Sequence, residues 1–162
     1  MKHNDPFLAA LTKHVALLAD SEPKFGAAAA LLRYGQEFEP KGELPSWIQR
    51  GAPKECFANT ARALLARIGS GRRDIRYAEG YAVDRVGIPL PIQHAWLVDV
   101  NGFAIDPTWS DGADHLYFGI AFKTDFILAM LRQTNGECGL LVNPPLMRRH
   151  FGSAELFEAA IG

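Results

Sequence analysis

Residues 75–109 read IRYAEGYAVDRVGIPLPIQHAWLVDVNGFAIDPTW, and this stretch decides the fold of the chain. Larger side chains recur at every second position from Tyr77 to Val83, a period of two that predicts a β-strand. A loop with two prolines, 87–91, leads into a second alternating run, Ile92–Asp99. Residues 103–107 are predicted to return alongside that run, so the stretch predicts an antiparallel meander.

Runs with helical spacing precede and follow this meander. The predicted helices are one that begins after Asp5 with Pro6, one over 24–34, one that starts near Pro53 and ends at Gly69, one over 124–133 with Thr124 as its cap, and a short one capped by Ser153. A further strand is predicted over 116–122. This order predicts an α+β fold, in which helices pack on an antiparallel sheet of about four strands.

The length of 162 residues fits a single domain, 1–162. We assign residues 47–122 to its core, 5–35 to N-terminal helices and 124–162 to a C-terminal helical tail. Within this domain, residues 36–45 are predicted to form a loop, because they contain prolines and a glycine and apolar patterning resumes directly after them. In the tail, residues 140–151 are predicted to be irregular.

Composition argues against several classes of protein. The net charge is −1, whereas a nucleic-acid-binding protein usually shows a basic surplus. The chain has no apolar run long enough to span a bilayer, and its polar start, 1–6, lacks the pattern of a secretory signal. Two cysteines, Cys56 and Cys138, are too few for a disulfide scaffold, although one bridge between them remains open. We therefore expect a cytoplasmic protein with reduced thiols that binds neither nucleic acid nor membrane; its oligomeric state is left open.

Cys56 falls in the first turn of the third predicted helix. The partial positive charge at a helix N-terminus favours the thiolate anion, which is the nucleophilic form of cysteine. The unpaired N–H groups of the same turn could also hold an oxyanion. A lone cysteine is often a small core residue, and position alone does not separate the two interpretations. Cys56 lies one residue off the apolar row that begins at Phe57, at the edge of the packed face, where a nucleophile could be reached.

His94 lies near the start of the second predicted strand, and Asp106 ends the returning strand. A histidine beside Ile92 and Trp96 is commonly a core residue, and an aspartate at a strand end commonly closes a turn. Together with Cys56, the two residues fit another pattern. In that pattern a histidine moves the proton of a nucleophile and a carboxylate orients the histidine.

The Asn101-Gly102 turn decides whether His94 and Asp106 can meet. In a regular two-residue turn, Asp106 would face Leu97, and His94 and Asp106 would point to opposite faces of the sheet because side chains alternate. In a type I turn closed by a glycine bulge, Asp106 would face Trp96, and the two residues would be diagonal neighbours on one face. The Cys-His-Asp hypothesis therefore predicts the bulged turn.

Four pieces of sequence occur in a fixed order: Cys56 with Asn59 three residues on, Gly80-Tyr81, His94-Ala95-Trp96 and Asp106-Pro107-Thr108-Trp109. This order resembles the core of the transglutaminase-like superfamily. That group of papain-like folds includes transglutaminases, bacterial thiol peptidases and, more distantly, arylamine N-acetyltransferases. The resemblance covers about residues 47–122 and implies Cys56 as nucleophile, His94 as base and Asp106 as the residue that orients the base.

Other residues could complete such a site. Gln49, seven residues before Cys56, or Trp47 through its indole N–H could donate to an oxyanion. Asn59 could fix the geometry of the site, or it could bond only to nearby loop backbone. The residues predicted to line the substrate are Trp96, Trp109 and Tyr81.

The predicted function is that of a cysteine-nucleophile acyl-transfer enzyme, in which an amide or ester forms a thioester that water or an amine resolves. Peptidase, deamidase and crosslinking activities all fit, and a peptide or protein amide is the expected substrate. No metal and no cofactor are predicted, because the chain has no Cys-x-x-Cys or His-x-x-x-His spacing, no phosphate loop and no dinucleotide fingerprint. The alternative is a non-catalytic binding or scaffold domain with the same fold.

Overall fold

The computed structural model describes residues 5–22, 24–151 and 153–162; the remaining positions of the predicted domain, 1–4, 23 and 152, lie outside the described residues. The described helices are α1 (Pro6–Asp20), α2 (Ala27–Tyr34), α3 (Cys56–Gly69), α4 (Thr124–Gln133), α5 (Pro144–His150) and α6 (Ala154–Ala160). The described strands are β1 (Gln36–Phe38), β2 (Ile75–Asp84), β3 (Ile92–Asp99), β4 (Ala104–Ile105) and β5 (His115–Phe122).

The strands form one antiparallel sheet in the order β1-β5-β2-β3-β4. The sheet curls, because backbone bonds join its two edges: Ala104 N–H donates to Glu39 O and Lys41 N–H donates to Ala104 O. This closure pairs Ala104 of β4 with the segment that follows β1, so backbone groups at this sheet edge do not stay unpaired. The α+β class is confirmed, with five strands among the described residues where about four were predicted.

The two faces of the sheet carry separate apolar clusters. The larger cluster contains Leu64, Tyr77 and Leu97, and it joins the helices to one face. The smaller cluster lies inside the curl of the other face, where Trp96 packs with Tyr117 and several alanines. Along β3, alternation therefore sends Leu97 toward the helices, and it places Trp96 in the curl together with the other even-numbered residues.

Two predictions of irregular structure are wrong. The first residues of 36–45 form β1, which pairs with β5 and buries Phe38 in the smaller cluster. The tail 140–151 contains α5, whose N-cap Asn143 accepts a bond from Leu146 N–H. Pro144 stands in the first turn of α5, where a missing N–H costs nothing, so the proline that suggested a break instead starts a helix.

Helix starts differ in detail from the predictions. Asp5 caps α1 and Ser153 caps α6, as predicted. Thr124 does not cap α4; its hydroxyl donates to Ile75 O instead. The second helix begins at Ala27 rather than 24. The third begins at Cys56 itself, because Lys54 has φ 67°, a left-handed conformation that cannot continue a helix.

The β3–β4 connection is the predicted bulged turn. Leu97 pairs with Ile105, the register that the bulge requires. Gly102 N–H donates to Asp99 O over 3.0 Å, which closes the turn, and Gly102 has φ 85°. A left-handed glycine at this place is what adds the extra residue and restores the parity of the strands.

Replacing Gly102 by alanine should lower the free energy of unfolding by about 1–2 kcal/mol, because an L-residue is strained at positive φ. Urea denaturation measures the loss. Gly42→Ala is the matched control, since Gly42 has no positive φ and a Cβ atom there would meet nothing within 4 Å. Equal effects of the two substitutions would contradict the assigned turn.

Candidate active site

Three elements converge at one end of β3. Strand β4 ends at Ile105, opposite Leu97, before the position of His94 is reached. The chain that leads into α3 lies along the continuation of β4, since Gly51 N–H donates to Pro107 O over 2.9 Å. This arrangement places the first turn of α3 beside the start of β3.

His94 and Asp106 are joined in the interior. His94 Nε2 lies 2.8 Å from Asp106 Oδ2, with His94 1% and Asp106 8% exposed. The Asp106 carboxylate accepts three further bonds: Thr108 N–H at 2.7 Å and Trp109 N–H at 3.1 Å on Oδ1, and the Tyr117 hydroxyl at 2.8 Å on Oδ2. Four donors fix the orientation of this carboxylate.

The surroundings keep Asp106 ionised. Burial raises the pKa of Asp106, but the hydrogen bond and charge of His94 lower it, and so do the bonds from Thr108 and Tyr117. The net direction is a pKa below the ordinary value of 3.8. A buried carboxylate that stays ionised can stabilise an imidazolium at its side.

His94 contacts both the carboxylate and the thiol. Burial lowers the pKa of His94, but hydrogen bonds with Asp106 and Cys56, together with their charges, raise the pKa to about 9. Because Nε2 bonds to Asp106, the ring nitrogen left for Cys56 is Nδ1. The structure thus brings the three predicted residues into one row, Cys56, His94 and Asp106, with the imidazole in the middle.

Trp109 covers the face of the imidazole. Its ring lies parallel to the His94 ring, with centroids 3.8 Å apart and planes inclined by 12°. His115 packs against the same indole at 4.4 Å. The indole face favours the cationic form of His94 and restricts its rotation. Trp109 was predicted to line the substrate; here it holds the ring of His94.

Asn59 links the start of α3 to the loop after Asp106. Its side chain is buried, and Nδ2 donates to Ala52 O at 2.8 Å and to Thr108 Oγ1 at 3.1 Å. Ala52 precedes Cys56, and Thr108 follows Asp106. Asn59 therefore bonds to loop backbone before Cys56 and also to a side chain that follows Asp106, so its bonding is not limited to the nearby loop.

Other predicted residues are not brought to the site. The Arg67 guanidinium stacks on Trp47, with its central carbon 4.3 Å from the centroid of the Trp47 ring. Arg67 is near the C-terminal end of α3, roughly 16 Å from Cys56 along the helix axis at about 1.5 Å per residue. Gln49 is solvent-exposed in the loop before α3. Trp96 is fully buried in the smaller cluster, so it packs beneath the site and has no surface with which to line a substrate.

Tyr81 lies on the helix-facing side of the sheet, opposite to the side that carries His94. It packs edge-on against His14, at 5.7 Å between centroids, and its hydroxyl bonds to Gln93. It borders a separate cavity between the helices and the sheet. Tyr81 therefore lies next to the site along the sheet, but its side chain is on the other face and does not touch the Cys56–His94–Asp106 row.

Sequence reasoning missed two buried polar residues. Tyr117 donates to Asp106, and Glu79 accepts from Tyr77 and from Leu140 N–H and Leu141 N–H. Tyr117 could have been identified from the sequence, because it lies on the side of the last strand opposite the row of large apolar residues. A tyrosine there needs a partner for its hydroxyl when it is buried. Glu79 alternates with apolar residues of β2, and no local feature indicated its partners 60 residues away.

The first turn of α3 contains backbone N–H groups without an intrahelical acceptor. Glu55, its N-cap, makes no side-chain capping bond, and the first intrahelical bond runs from Asn59 N–H to Glu55 O. The N–H groups of Cys56, Phe57 and Ala58 therefore have no intrahelical partner. Such groups at a positive helix terminus can accept a developing negative charge.

Both cysteines are free, so the disulfide left open by the sequence is not formed. Cys56 is 8% exposed and Cys138 is half-buried. Burial, followed by the charges of Glu79 and Cys56, raises the pKa of Cys138 to about 11. Of the two thiols, the one that contacts an imidazole is Cys56.

The chain was compared with known proteins at the level of family models, curated sequences and solved structures, and none of these matched it. Within residues 5–22, 24–151 and 153–162, the helices are all too short or too polar to traverse a bilayer.

Proposed function

We propose that this protein is a cysteine-nucleophile acyl-transfer enzyme that forms a thioester on Cys56 from an amide or ester, with a peptide or protein amide as one expected class of substrate. The observation that carries the proposal is the buried His94 ring: its Nε2 lies 2.8 Å from Asp106 Oδ2, and the hydrogen bonds and charges of Asp106 and Cys56 raise its pKa. A pKa of about 9 keeps His94 protonated at neutral pH, the form that pairs with a thiolate.

The chemistry follows from this arrangement. The Cys56 thiolate attacks the carbonyl carbon, a C–S bond forms, and the backbone N–H groups of the first turn of α3 hold the oxyanion. The C–N bond of the amide or the C–O bond of the ester then breaks, and His94 gives its proton to the leaving amine or alcohol. His94 then takes a proton from water or an acceptor amine, which attacks the thioester and releases Cys56.

We also propose that the chain shares the architecture of the transglutaminase-like superfamily. Support comes from the order of the parts: a nucleophile at a helix N-terminus, then an antiparallel β2–β3–β4 meander carrying the base and the carboxylate. The bond from Asn59 to Thr108 joins two of the four sequence pieces that carry the resemblance.

Alkylation by iodoacetamide, followed by peptide mass spectrometry, tests the proposal. At neutral pH we expect Cys56 to react about 100-fold or more faster than Cys138, since the thiolate is the reactive form. Cys56→Ala should abolish the fast phase and Cys138→Ala should leave it unchanged. A wild-type Cys56 that reacts no faster than free cysteine would sink the proposal.

A binding or scaffold role is the second candidate, favoured by the low exposure of Cys56, 8%, and of His94, 1%. In such a protein, Cys56, His94 and Asp106 would stabilise the fold without taking part in a reaction. Hydrolysis of activated esters that is lost in His94→Ala would exclude it, whereas no turnover by wild type across esters and amides would favour it.

A further inference from the structure

A cavity of about 670 Å³ lies on the helix-facing side of the sheet, within the size range of small-molecule pockets. It is bounded by the end of α1, by α2, by α5 and by β2 and β3. Its apolar lining includes Phe25, Leu31, Leu141, Val142, Met147 and Phe151. It is separate from the row of Cys56, His94 and Asp106, which does not line it.

The cavity borders the proposed site at two places. Gln93, which lines it, is the residue before His94 on β3. Val142, which also lines it, touches the segment that packs on the nucleophile helix: a Cβ atom on Gly139 would lie 2.9 Å from Val142 and 3.6 Å from the ring of Phe57. Phe57 follows Cys56 directly. The cavity wall is therefore adjacent in sequence to the base through Gln93, and it reaches Phe57, the residue after Cys56, through Gly139.

The chemistry of the lining is that of a pocket for hydrocarbon. Glu22 is the acidic residue of the lining, and its carboxylate is already engaged, accepting bonds from Ala28 N–H at 2.9 Å and Ala29 N–H at 3.0 Å. The cations of the lining, Lys24 and Arg148, are exposed and lie at its mouth. An apolar chain would thus meet no unpaired charge inside.

We infer that this cavity binds a linear apolar acyl chain, so that Cys56 acts on amides or esters of such chains rather than on short or polar acyl groups. This inference rests on the proposed function for its second part. The position of the cavity beside Gln93 and the Phe57–Val142 wall allows a chain held there to present its carbonyl carbon at the start of α3.

A series of p-nitrophenyl esters from acetate through butyrate to octanoate tests the inference. For the wild type we expect kcat/KM to rise by up to about fourfold per added methylene, the free energy of burying one CH2 group converted to a ratio. Ala27→Trp, which fills the cavity from α2, should lower the ratio of the octanoate to the acetate kcat/KM to near one. Val142→Trp fills it from the opposite wall and should act in the same way.

Ala29→Trp is the matched control, because Ala29 lies on the same helix, is similarly half-buried and is outside the cavity lining. Thermal unfolding of each variant shows which of them fold. A flat chain-length dependence in the wild type, or equal effects of Ala27→Trp and Ala29→Trp, would overturn the inference.

Decanoate binding to Cys56→Ala, measured by calorimetry, separates this inference from the proposed function. If no ester acylates Cys56, the proposed function fails, and decanoate binding alone then shows whether the cavity holds an apolar chain. Decanoate bound by Cys56→Ala and lost when Ala27→Trp is added supports the acyl-chain site. No decanoate binding to Cys56→Ala overturns it, whatever the reactivity of Cys56.

Discussion

Asp106→Asn is expected to lower the pKa of His94 from about 9 toward its ordinary value of 6.5 and to reduce ester turnover by about 10³–10⁴-fold. Asparagine keeps the shape of aspartate but not its charge. Its single carbonyl oxygen cannot accept from His94 and Tyr117 and also from the Thr108 and Trp109 N–H groups. The imidazolium therefore loses both its carboxylate partner and its fixed orientation.

The free energy of unfolding of Asp106→Asn is expected to depend on pH differently from that of the wild type. The pKa of His94 is raised in the folded protein, so its contribution to stability is fully present below 6.5 and is lost as the pH rises through about 9. Above pH 6.5, Asp106 is ionised in the folded and the unfolded chain alike. The difference in free energy of unfolding between wild type and Asp106→Asn should therefore be largest at and below about pH 6.5, shrink as the pH rises toward 9, and be smallest above about 9.

Two measurements check these results: urea denaturation across that pH range and NMR titration of the His94 ring. Asp114→Asn is the control, because Asp114 is exposed and is not among the groups that shift the pKa of His94 or Asp106. A His94 pKa that stays near 9 in Asp106→Asn would show that another group holds the imidazolium, and the assigned role of Asp106 would be wrong.

Glu79→Ala is expected to cost at least about 3 kcal/mol of the free energy of unfolding, because it leaves buried donors without an acceptor. Glu79 is fully buried and accepts from the Tyr77 hydroxyl, Leu140 N–H and Leu141 N–H, each at 2.7 Å. It thereby anchors the segment before α5 to the centre of the sheet. Since Gly139 in this segment packs on Phe57, loosening it should also disturb the first turn of α3.

Chemical denaturation gives the stability loss, and hydrogen exchange at Leu140 and Leu141 shows the local opening. Glu79→Gln preserves the shape and should lose less stability; by removing a nearby charge it should lower the pKa of Cys138 from about 11. Glu39→Ala, at an exposed position, should change neither quantity. A stability loss below 1 kcal/mol in Glu79→Ala, about the worth of one ordinary hydrogen bond, would contradict the anchoring role.

Features set by short-range rules were predictable. The Asp5 and Ser153 caps were predicted, because a capping bond spans only two or three residues. The bulged turn was a requirement of the Cys-His-Asp hypothesis, and Asp99, Asn101 and Gly102 are residues favoured at its positions; the observed register is the one it requires. The strand alternation and the α+β class follow from the same kind of local pattern.

Features set by distant contacts were not predictable. Strand β1 has three residues, too few to show a period, and it exists because β5 lies beside it. Helix α5 was hidden by the prolines that begin it. Trp47 was a reasonable donor by sequence distance, but packing under Arg67 takes it to the other end of α3.

The sequence by itself determined the α+β order of elements and reduced the meeting of a histidine and an aspartate to one turn, because a turn of four residues sets strand parity. Only the tertiary structure decided that Cys56 meets them. That meeting depends on where α3 lies against β3, and the bonds that place it, Gly51 to Pro107 and Asn59 to Thr108, join residues about 50 positions apart. Contacts of that range leave no periodic trace in a single sequence, since either partner alone is compatible with many positions.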